Sequence, residues 1–280
     1  MGSWSSLPGD TACAAQVHRS TWEPRPDNYK RNHVLVDVTA AHQSFSTRKR
    51  SSLGTYDPKW DSWLLPRVDG QFSGTTDEIF QWAACKWGLP DDLIRAVAYR
   101  ESTWFQYETY PSGRCVATYG CGDWFSSEPY SPRKAFCDGL APYGYDYQKD
   151  YGDGYCPKTF SIIGEMSWWD PTWGFNWAGN QNGTFPFNRD STAFAVDYYG
   201  AAIRGCYEGW QWELGSSYSA GDLSGCVGAW YSGGWHDAAG DAYAQRVQDA
   251  RASDPWLTSS FASYEPPCSA TYGCPGPDSL

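Results

Sequence analysis

Histidine, methionine and basic residues are scarce in this chain of 280 residues. It has 4 His and 2 Met, and its 21 Lys and Arg stand against 32 Asp and Glu, which gives a formal net charge of −11. Such a chain lacks the basic stripe of a nucleic-acid groove and the positive surface that binds an anionic membrane. No window approaches the roughly 18 consecutive apolar residues of a membrane span. We therefore expect neither a nucleic-acid partner nor a membrane partner.

The ten cysteines lack the spacing of metal sites and redox motifs. No Cys-x-x-Cys occurs, and the four histidines are scattered. Zinc fingers, zinc ribbons and thioredoxin-like sites need such spacing, so we expect no metal and no cofactor. An even number of cysteines predicts a disulfide framework instead, which indicates an oxidising, extracellular compartment. The sequence leaves the pairing open, although short separations favour three local links: Cys115–Cys121, Cys206–Cys226 and Cys268–Cys274.

Charge is also sparse, at 19% of residues, whereas 18% are aromatic and 29 Gly and 18 Pro are spread along the chain. This composition predicts a loop-rich globular protein. Residues 1–72 predict an extended N-terminal arm that packs on the core, with a strand at 34–38. Residues 73–254 predict the main domain, and residues 255–280 a disulfide-closed tail. The opening Met-Gly-Ser-Trp predicts a mature protein behind an added start.

Helical spacing begins at Thr75. In the capping-box pattern of this segment, Thr75 and Glu78 satisfy each other's backbone N–H groups, and Gly88 ends the helix. A proline and two acidic residues start a second helix, whose apolar stripe ends at Glu101. A long irregular stretch follows at 105–190, and further helices are predicted over 191–207, 222–230 and 240–252. The sequence therefore predicts a mainly α (α+β) fold with long disulfide-linked loops.

Glu101 is the leading functional candidate, because it prolongs the apolar stripe of its helix. An ionised carboxylate on an apolar face is costly, and the negative end of the helix dipole adds to that cost, so the protonated form is favoured. A carboxylic acid that stays neutral can protonate a glycosidic oxygen. The alternative is an ordinary surface glutamate, in a helix whose stripe is misassigned by one position.

Glycoside hydrolysis with inversion needs a second carboxylate about 6.5–9.5 Å from the acid. Asp123 lies in a loop beside Cys121, and Glu165 precedes a Trp-rich segment, so both are candidates for that second carboxylate. For each of them the alternative is a solvated loop acid without a catalytic role.

Aromatic residues crowd two segments of the chain. One holds Trp168 and Trp169, and the other holds Trp230 and Tyr231. Flat apolar rings with polar edges suit the C–H faces of sugars, so these segments predict a glycan-binding platform. The alternative is that such rings fill the core between loops, and we expect half or more of them to do so.

The residues around Glu101 resemble the soluble lytic transglycosylase and goose-type lysozyme superfamily, over residues 75–252. In that family a Glu-Ser pair ends a helix behind an apolar run, which maps onto Glu101 and Ser102. Three further segments are similar to family motifs: 159–164 to Ser-x-Gly-Leu-Met-Gln, 229–233 to Ala-Tyr-Asn-x-Gly, and 243–247 to Tyr-x-x-x-Val. The resemblance implies a lysozyme-like helical domain of a secreted, actinobacterial-type branch.

The resemblance also implies residue roles. Glu101 would be the general acid, and the residues that line the saccharide cleft would be Ser102, Ser161, Trp230, Tyr231 and Tyr243. The chain departs from the motifs where Ser161 replaces a Gly, Gly164 a substrate-contacting Gln, and Tyr231 an Asn. These departures make the resemblance more specific for fold than for substrate.

The leading expectation is a secreted, monomeric enzyme that cleaves glycosidic bonds in a polysaccharide. The resemblance implies peptidoglycan, cleaved by a lytic transglycosylase through the substrate's own 6-hydroxyl or by a muramidase through water. The alternative is a neutral or cationic glycan (chitin, chitosan or another β-glucan) with a second carboxylate activating water, because an acidic protein is repelled by anionic bacterial walls. The third hypothesis is a non-catalytic glycan-binding module on the same scaffold.

Overall fold

The structure is a computed structural model that describes residues 1–47, 57–107, 124–126, 155–157, 159–166, 180 and 182–263. Most of these residues are helical. The α-helices are α1 (Asp10–Ala14), α2 (Tyr29–Asn32), α3 (Val38–Thr47), α4 (Thr76–Trp87), α5 (Asp91–Ser102), α6 (Phe187–Asp190), α7 (Thr192–Tyr207), α8 (Leu223–Ser232), α9 (Ala238–Ser253) and α10 (Ser259–Ala262). The mainly α class predicted from the sequence is confirmed.

The remaining regular elements are short. The strands are β1 (Trp124–Ser126), β2 (Tyr155–Pro157), β3 (Thr159–Phe160) and β4 (Glu165–Met166). They form two antiparallel pairs, β1 with β2 and β3 with β4. Single turns of 3-10 helix lie at Trp4–Ser6, Pro26–Asn28, Leu65–Arg67, Trp212–Leu214 and Pro255–Leu257, and a π-helical turn lies at Trp60–Leu64.

Helix α7 is the centre of the fold. Every residue from 192 to 206 is buried, so the helix is enclosed on all sides. Helices α4, α6 and α8 pack against it, α5 packs against α4, and α9 packs against both α5 and α8. The largest fully buried side chains include Trp60, Trp82, Trp87 and Trp104, so these tryptophans fill the core.

The helix boundaries follow the signals in the sequence. The capping box of Thr75 and Glu78 is present in full, and Gly88 ends α4 with a φ of 63°. The side chain of Ser191 caps α7 and that of Asp222 caps α8, each by accepting a hydrogen bond from a backbone N–H in the first turn. These caps satisfy N–H groups that a helix terminus otherwise leaves unpaired.

A buried ion cluster joins α4 to α7. The Lys86 ammonium lies 2.9 Å from Asp197, 3.0 Å from Asp69 and 2.5 Å from Asp10. Burial alone would lower the pKa of Lys86, but the three carboxylates outweigh it and raise that pKa. Asp197 also accepts hydrogen bonds from the Trp87 indole and the backbone N–H of Gly70. The cluster therefore ties the N-terminal segment to the two central helices.

The N-terminal segment differs from the sequence-based prediction. It is not an extended arm with a strand at 34–38, because its described residues fold into α1, α2 and α3. Asp37 caps the start of α3 by accepting a hydrogen bond from the Ala40 N–H, 3.0 Å away, so the alternating run ends in a helix start. The segment does pack on the core, where Arg25 is buried and donates to the Thr103 and Phe261 carbonyls.

Two disulfides lie within the described residues. Cys206–Cys226 joins α7 to α8, as predicted, and Cys13–Cys85 joins α1 to α4. The predicted links Cys115–Cys121 and Cys268–Cys274 lie outside the described residues. None of the described helices is both long enough and apolar enough to cross a membrane.

His236 joins the starts of α8 and α9. Its Nε2 lies 2.8 Å from the carboxylate of Asp222, and its Nδ1 lies 2.8 Å from that of Asp241. Hydrogen bonds with Asp222 and Asp241 raise the pKa of His236. A neutral imidazole donates only one hydrogen bond, whereas the imidazolium donates to both carboxylates. The link is therefore complete only when His236 is protonated.

Replacing His236 should destabilise the protein mainly at low pH. In His236→Asn, which keeps a side chain that tolerates the φ of 50° at this position, the loss of Tm should be full below the ordinary His pKa of about 6.5. It should shrink as the pH rises through the raised pKa of His236, because the folded protein then releases the proton. His33→Asn, at an exposed histidine on α2's C-terminal side, is the matched control in thermal unfolding scans. A loss of Tm that is the same at acid and alkaline pH would contradict the link.

Candidate active site

Glu101 lies in the last turn of α5, with its side chain half-buried. The helix ends directly after it, because Thr103 and Trp104 both have left-handed φ values, 54° and 70°. Trp104 is then anchored in the core, where its indole donates to the Arg95 carbonyl at 3.0 Å. This reversal places the Glu101 carboxyl at the end of the helix, close to the core and within reach of solvent.

The Glu101 carboxylate packs against a tight turn at 161–164. A Cβ on Gly164 would come within 2.2 Å of Glu101 Oε2, and the Gly164 φ is 60°. Ser161, at the other end of the turn, also has a left-handed φ, 78°. This value explains why a glycine suits the Ser161 position in the similar family motif. The left-handed backbone favours glycine at 164, and a side chain there would displace the Glu101 carboxylate from its present position.

Three hydrogen bonds fix this turn between two helices. The Ser102 hydroxyl donates to the Ile162 carbonyl at 2.8 Å, and the Trp230 indole donates to the Ile163 carbonyl at 3.2 Å. The Ile162 N–H donates to the Gln106 side chain at 3.1 Å. Ser102 and Trp230, both predicted to line a cleft, are thus engaged in holding the turn against Glu101.

Ser161 is also buried, and its hydroxyl has no hydrogen-bond partner among the residues that the structure describes. The hydroxyl lies in the same four-residue turn as Gly164, which the Glu101 carboxylate contacts. Its left-handed backbone and its burial make Ser161 part of the turn's framework.

Glu165 follows the turn directly and is fully buried, with 0% of its surface exposed. Its Oε1 accepts hydrogen bonds from Thr184 at 2.5 Å and Asn182 at 3.2 Å, and its Oε2 accepts one from Asn188 at 3.0 Å. These bonds attach β4 to the segment that leads into α6. The second carboxylate predicted from the sequence is therefore enclosed by donors and does not face solvent.

Two buried tyrosines face Glu101. Burial, and then the charge of Glu101, raise the pKa of both Tyr199 on α7 and Tyr243 on α9. The interaction of its hydroxyl with Glu101 adds to the raised pKa of Tyr243. Both phenols therefore stay protonated beside the carboxyl. Tyr199 was missed in the sequence, where the only signal is a phenol in an otherwise apolar helix.

An aromatic stack leads from Glu101 to the surface. Tyr231 is 51% exposed and stacks on Tyr243 with ring centroids 4.4 Å apart and an interplanar angle of 3°. Trp230 meets Tyr199 edge to face at 5.0 Å. The predicted residues Tyr231, Tyr243 and Trp230 are thus brought together near Glu101, and Tyr231 is the member of the group that is exposed to solvent.

Asp123, Trp168 and Trp169 lie outside the described residues, so their predicted roles stay predictions. The described site consists of one half-buried carboxyl, a glycine turn pressed against it, two neutral phenols and an exposed aromatic ring. A carboxyl with these neighbours can hold a proton, deliver it to a bound oxygen atom and take one back.

The contact between Gly164 and Glu101 can be tested with a double-mutant cycle. Gly164→Ala should lose about 1–2 kcal/mol of stability from the left-handed backbone, and a further amount because the Glu101 carboxylate must move away from the new methyl group. Gly233→Ala is the matched control, because Gly233 has a φ of 74° and open space around its Cβ position. In a Glu101→Ala background, Gly164→Ala should cost no more than the control in urea unfolding. An excess cost that persists without Glu101 would contradict the contact.

Comparison with known proteins gives no relative: no protein-family model, no curated protein and no solved structure matches the chain. What the protein does must therefore be inferred from its own residues. Among those described, Glu101 is the group that the surrounding geometry singles out.

Proposed function

We propose that the protein is a secreted enzyme that cleaves glycosidic bonds in a polysaccharide, with Glu101 as its general acid. The observation that carries this proposal is the setting of Glu101. Its carboxyl is half-buried against the 161–164 turn and acts on two buried phenols, of which Tyr243 stacks on the exposed Tyr231. An acid beside an aromatic platform is what cleavage of a bound sugar chain requires.

The surroundings of Glu101 suit both halves of proton transfer. A general acid must carry its proton before the reaction. Once the proton has moved to the glycosidic oxygen and the bond to the anomeric carbon breaks, Glu101 is a carboxylate. The Tyr243 hydroxyl is then placed to donate a hydrogen bond to it. The carboxylate takes a proton back from the hydroxyl group that attacks the anomeric carbon, which restores the acid.

The attacking hydroxyl is either water or the substrate's own 6-hydroxyl. Glu165 is a positioning residue in this account, because its complete burial and three hydrogen bonds keep it from a water molecule in the cleft. Activation of water would then fall to Asp123. Attack by the 6-hydroxyl, the lytic transglycosylase route, needs no second carboxylate, and Glu101 alone serves as acid and then as base.

A lysozyme-like fold is part of the proposal. It is supported by the mainly α architecture, by α5 ending at Glu101 and Ser102, and by the hairpin of β3 and β4 packed against that end. Gly164 marks a real difference from the similar family motif, because no glutamine side chain fits there while Glu101 stays in place. The substrate contact that the family takes from this position must come from another residue.

Secretion and a monomeric state also belong to the proposal, and the disulfides Cys13–Cys85 and Cys206–Cys226 support an oxidising compartment. Peptidoglycan is the proposed substrate. A neutral or cationic glycan is the second candidate, and the net charge of −11 is the observation that favours it.

Replacing the acid should abolish turnover. Glu101→Gln keeps the size of the side chain but cannot deliver a proton, so the release of fragments should fall by a factor of about 10²–10⁴. Asp254→Asn is the matched control: it removes an exposed carboxylate at the end of α9, where asparagine suits the left-handed backbone. Mass spectrometry of products from peptidoglycan, chitin and chitosan gives the rates.

Two results would count against the proposal. If Glu101→Gln cleaves the substrate as fast as the control variant, Glu101 is not the acid. If the wild-type protein is retained on a polysaccharide and releases no fragment from any of them, the non-catalytic binding module is correct.

A further inference from the structure

We infer that Arg100 and Arg246 form a subsite for a carboxylate group carried on the glycan, next to Glu101. This inference rests on the proposed function, because it names a chemical feature of the substrate that the same site would take. The subsite lies between α5 and α9, and its residues are separate from the acid and from the turn that holds it.

A pocket of about 210 Å³ opens between these two helices, and both arginines line it together with Tyr99, Asp249 and Ser253. A water molecule occupies about 30 Å³ in the liquid. The pocket therefore has room for a carboxylate and the carbon atoms that attach it to a sugar ring.

Neither guanidinium in this pocket has an anionic partner. Arg100 and Arg246 make no ion pair and no hydrogen bond through their side chains with any residue that the structure describes. The other arginines of the same two helices behave differently, since Arg95 binds Asp77 and Asp91, and Arg251 binds Asp92. In a chain with a large excess of acidic residues, two arginines that share one pocket and form no ion pair with a described carboxylate indicate a site for an external anion.

The pocket adjoins the catalytic group. Arg100 precedes Glu101 in α5. Burial and then the charge of Glu101 raise the pKa of Tyr243, and the charge of Arg100 acts on it in the opposite direction. The Arg246 guanidinium lies 5.7 Å from the Tyr243 ring and 5.9 Å from the Tyr231 ring. An anion bound by both arginines would thus belong to a sugar that reaches the Tyr231–Tyr243 stack.

The pocket favours one negative charge over two. Asp249 lines the same pocket, and its carboxylate accepts only one hydrogen bond from a described side chain, that of Gln245. Two guanidiniums against one aspartate leave a local charge of one positive unit, which a single carboxylate neutralises and a phosphate dianion exceeds. A planar carboxylate also matches the fork geometry of arginine. We therefore assign the pocket to a carboxylate.

This subsite reconciles the acidic protein with an acidic substrate. At physiological ionic strength the repulsion between charges more than about 8 Å apart is largely screened. A carboxylate bound in the pocket therefore interacts mainly with the two nearby guanidiniums and only weakly with the acidic groups elsewhere on the surface. A neutral glycan would leave both arginines without a partner.

The test compares two tetrasaccharides of equal length. One is chitotetraose, and the other has the same backbone with a 3-O-lactyl carboxylate on alternate sugars. Binding is measured by calorimetry to the Glu101→Gln variant, which should leave both ligands intact. We expect the carboxylated ligand to bind about 10-fold more tightly, which corresponds to about 1.4 kcal/mol.

The variants locate the effect. Arg100→Gln and Arg246→Gln should each remove most of the preference and leave the affinity for chitotetraose unchanged. Asp249→Asn should increase the preference. Lys30→Gln is the matched control, because it removes an exposed cation of α2 that forms no ion pair with a described residue. Addition of free lactate or inorganic phosphate shows whether the anion alone suffices or whether the sugar is needed.

The outcomes separate this inference from the proposed function. Equal affinity for the two tetrasaccharides, or a preference that survives both arginine substitutions, overturns the subsite. If the wild-type enzyme still cleaves glycans in that case, the proposed function stands. A preference that disappears with Arg100 and Arg246 supports the subsite even if the wild-type protein cleaves neither ligand, and in that case it is the proposed function that fails.

Discussion

The contact between the Glu101 carboxylate and Gly164 is the constraint on which the rest of the site depends. It requires a residue without a side chain at 164, a left-handed backbone at both ends of the 161–164 turn, and a helix that ends at Ser102. The hydrogen bonds from Ser102 and Trp230 serve this contact, because they hold the turn from two different helices. The acid is therefore positioned by the fold and not by a flexible loop.

The central helix stabilises the part of the fold that positions Glu101. Helix α7 is enclosed by its neighbours, and the cluster around Lys86 joins it to α4 and to the N-terminal segment. Breaking a buried ion pair costs far more than removing an exposed one, so this cluster specifies how the helices meet. Tyr199 projects from the same helix toward Glu101. A fully enclosed helix thus supplies a wall of the candidate site.

Local signals in the sequence predict local features well. The capping box at Thr75, the ends of α4 and α5 and the Cys206–Cys226 link all follow from residues close together in the chain. Contacts between distant segments cannot be predicted in this way. Nothing near Tyr199 in the sequence indicates its interaction with a carboxyl almost a hundred residues earlier. The role of Gly164 likewise depends on its contact with Glu101. The helical N-terminal segment was mispredicted because its alternating run ends where Asp37 caps the start of α3.

Chain-end analysis of the reaction products is the direct test of whether the protein cleaves glycosidic bonds. Wild-type protein is incubated in ¹⁸O-labelled water with long glycan strands whose sugars carry carboxylates, and the products are analysed by mass spectrometry. We expect shorter strands with one of two kinds of new end. Attack by the 6-hydroxyl gives anhydro-sugars, and attack by water gives reducing sugars with one ¹⁸O atom. Recovery of these strands, and of chitin and chitosan strands treated in the same way, at their original length with no new ends of either kind would contradict the assignment of Glu101 as a glycoside-cleaving acid.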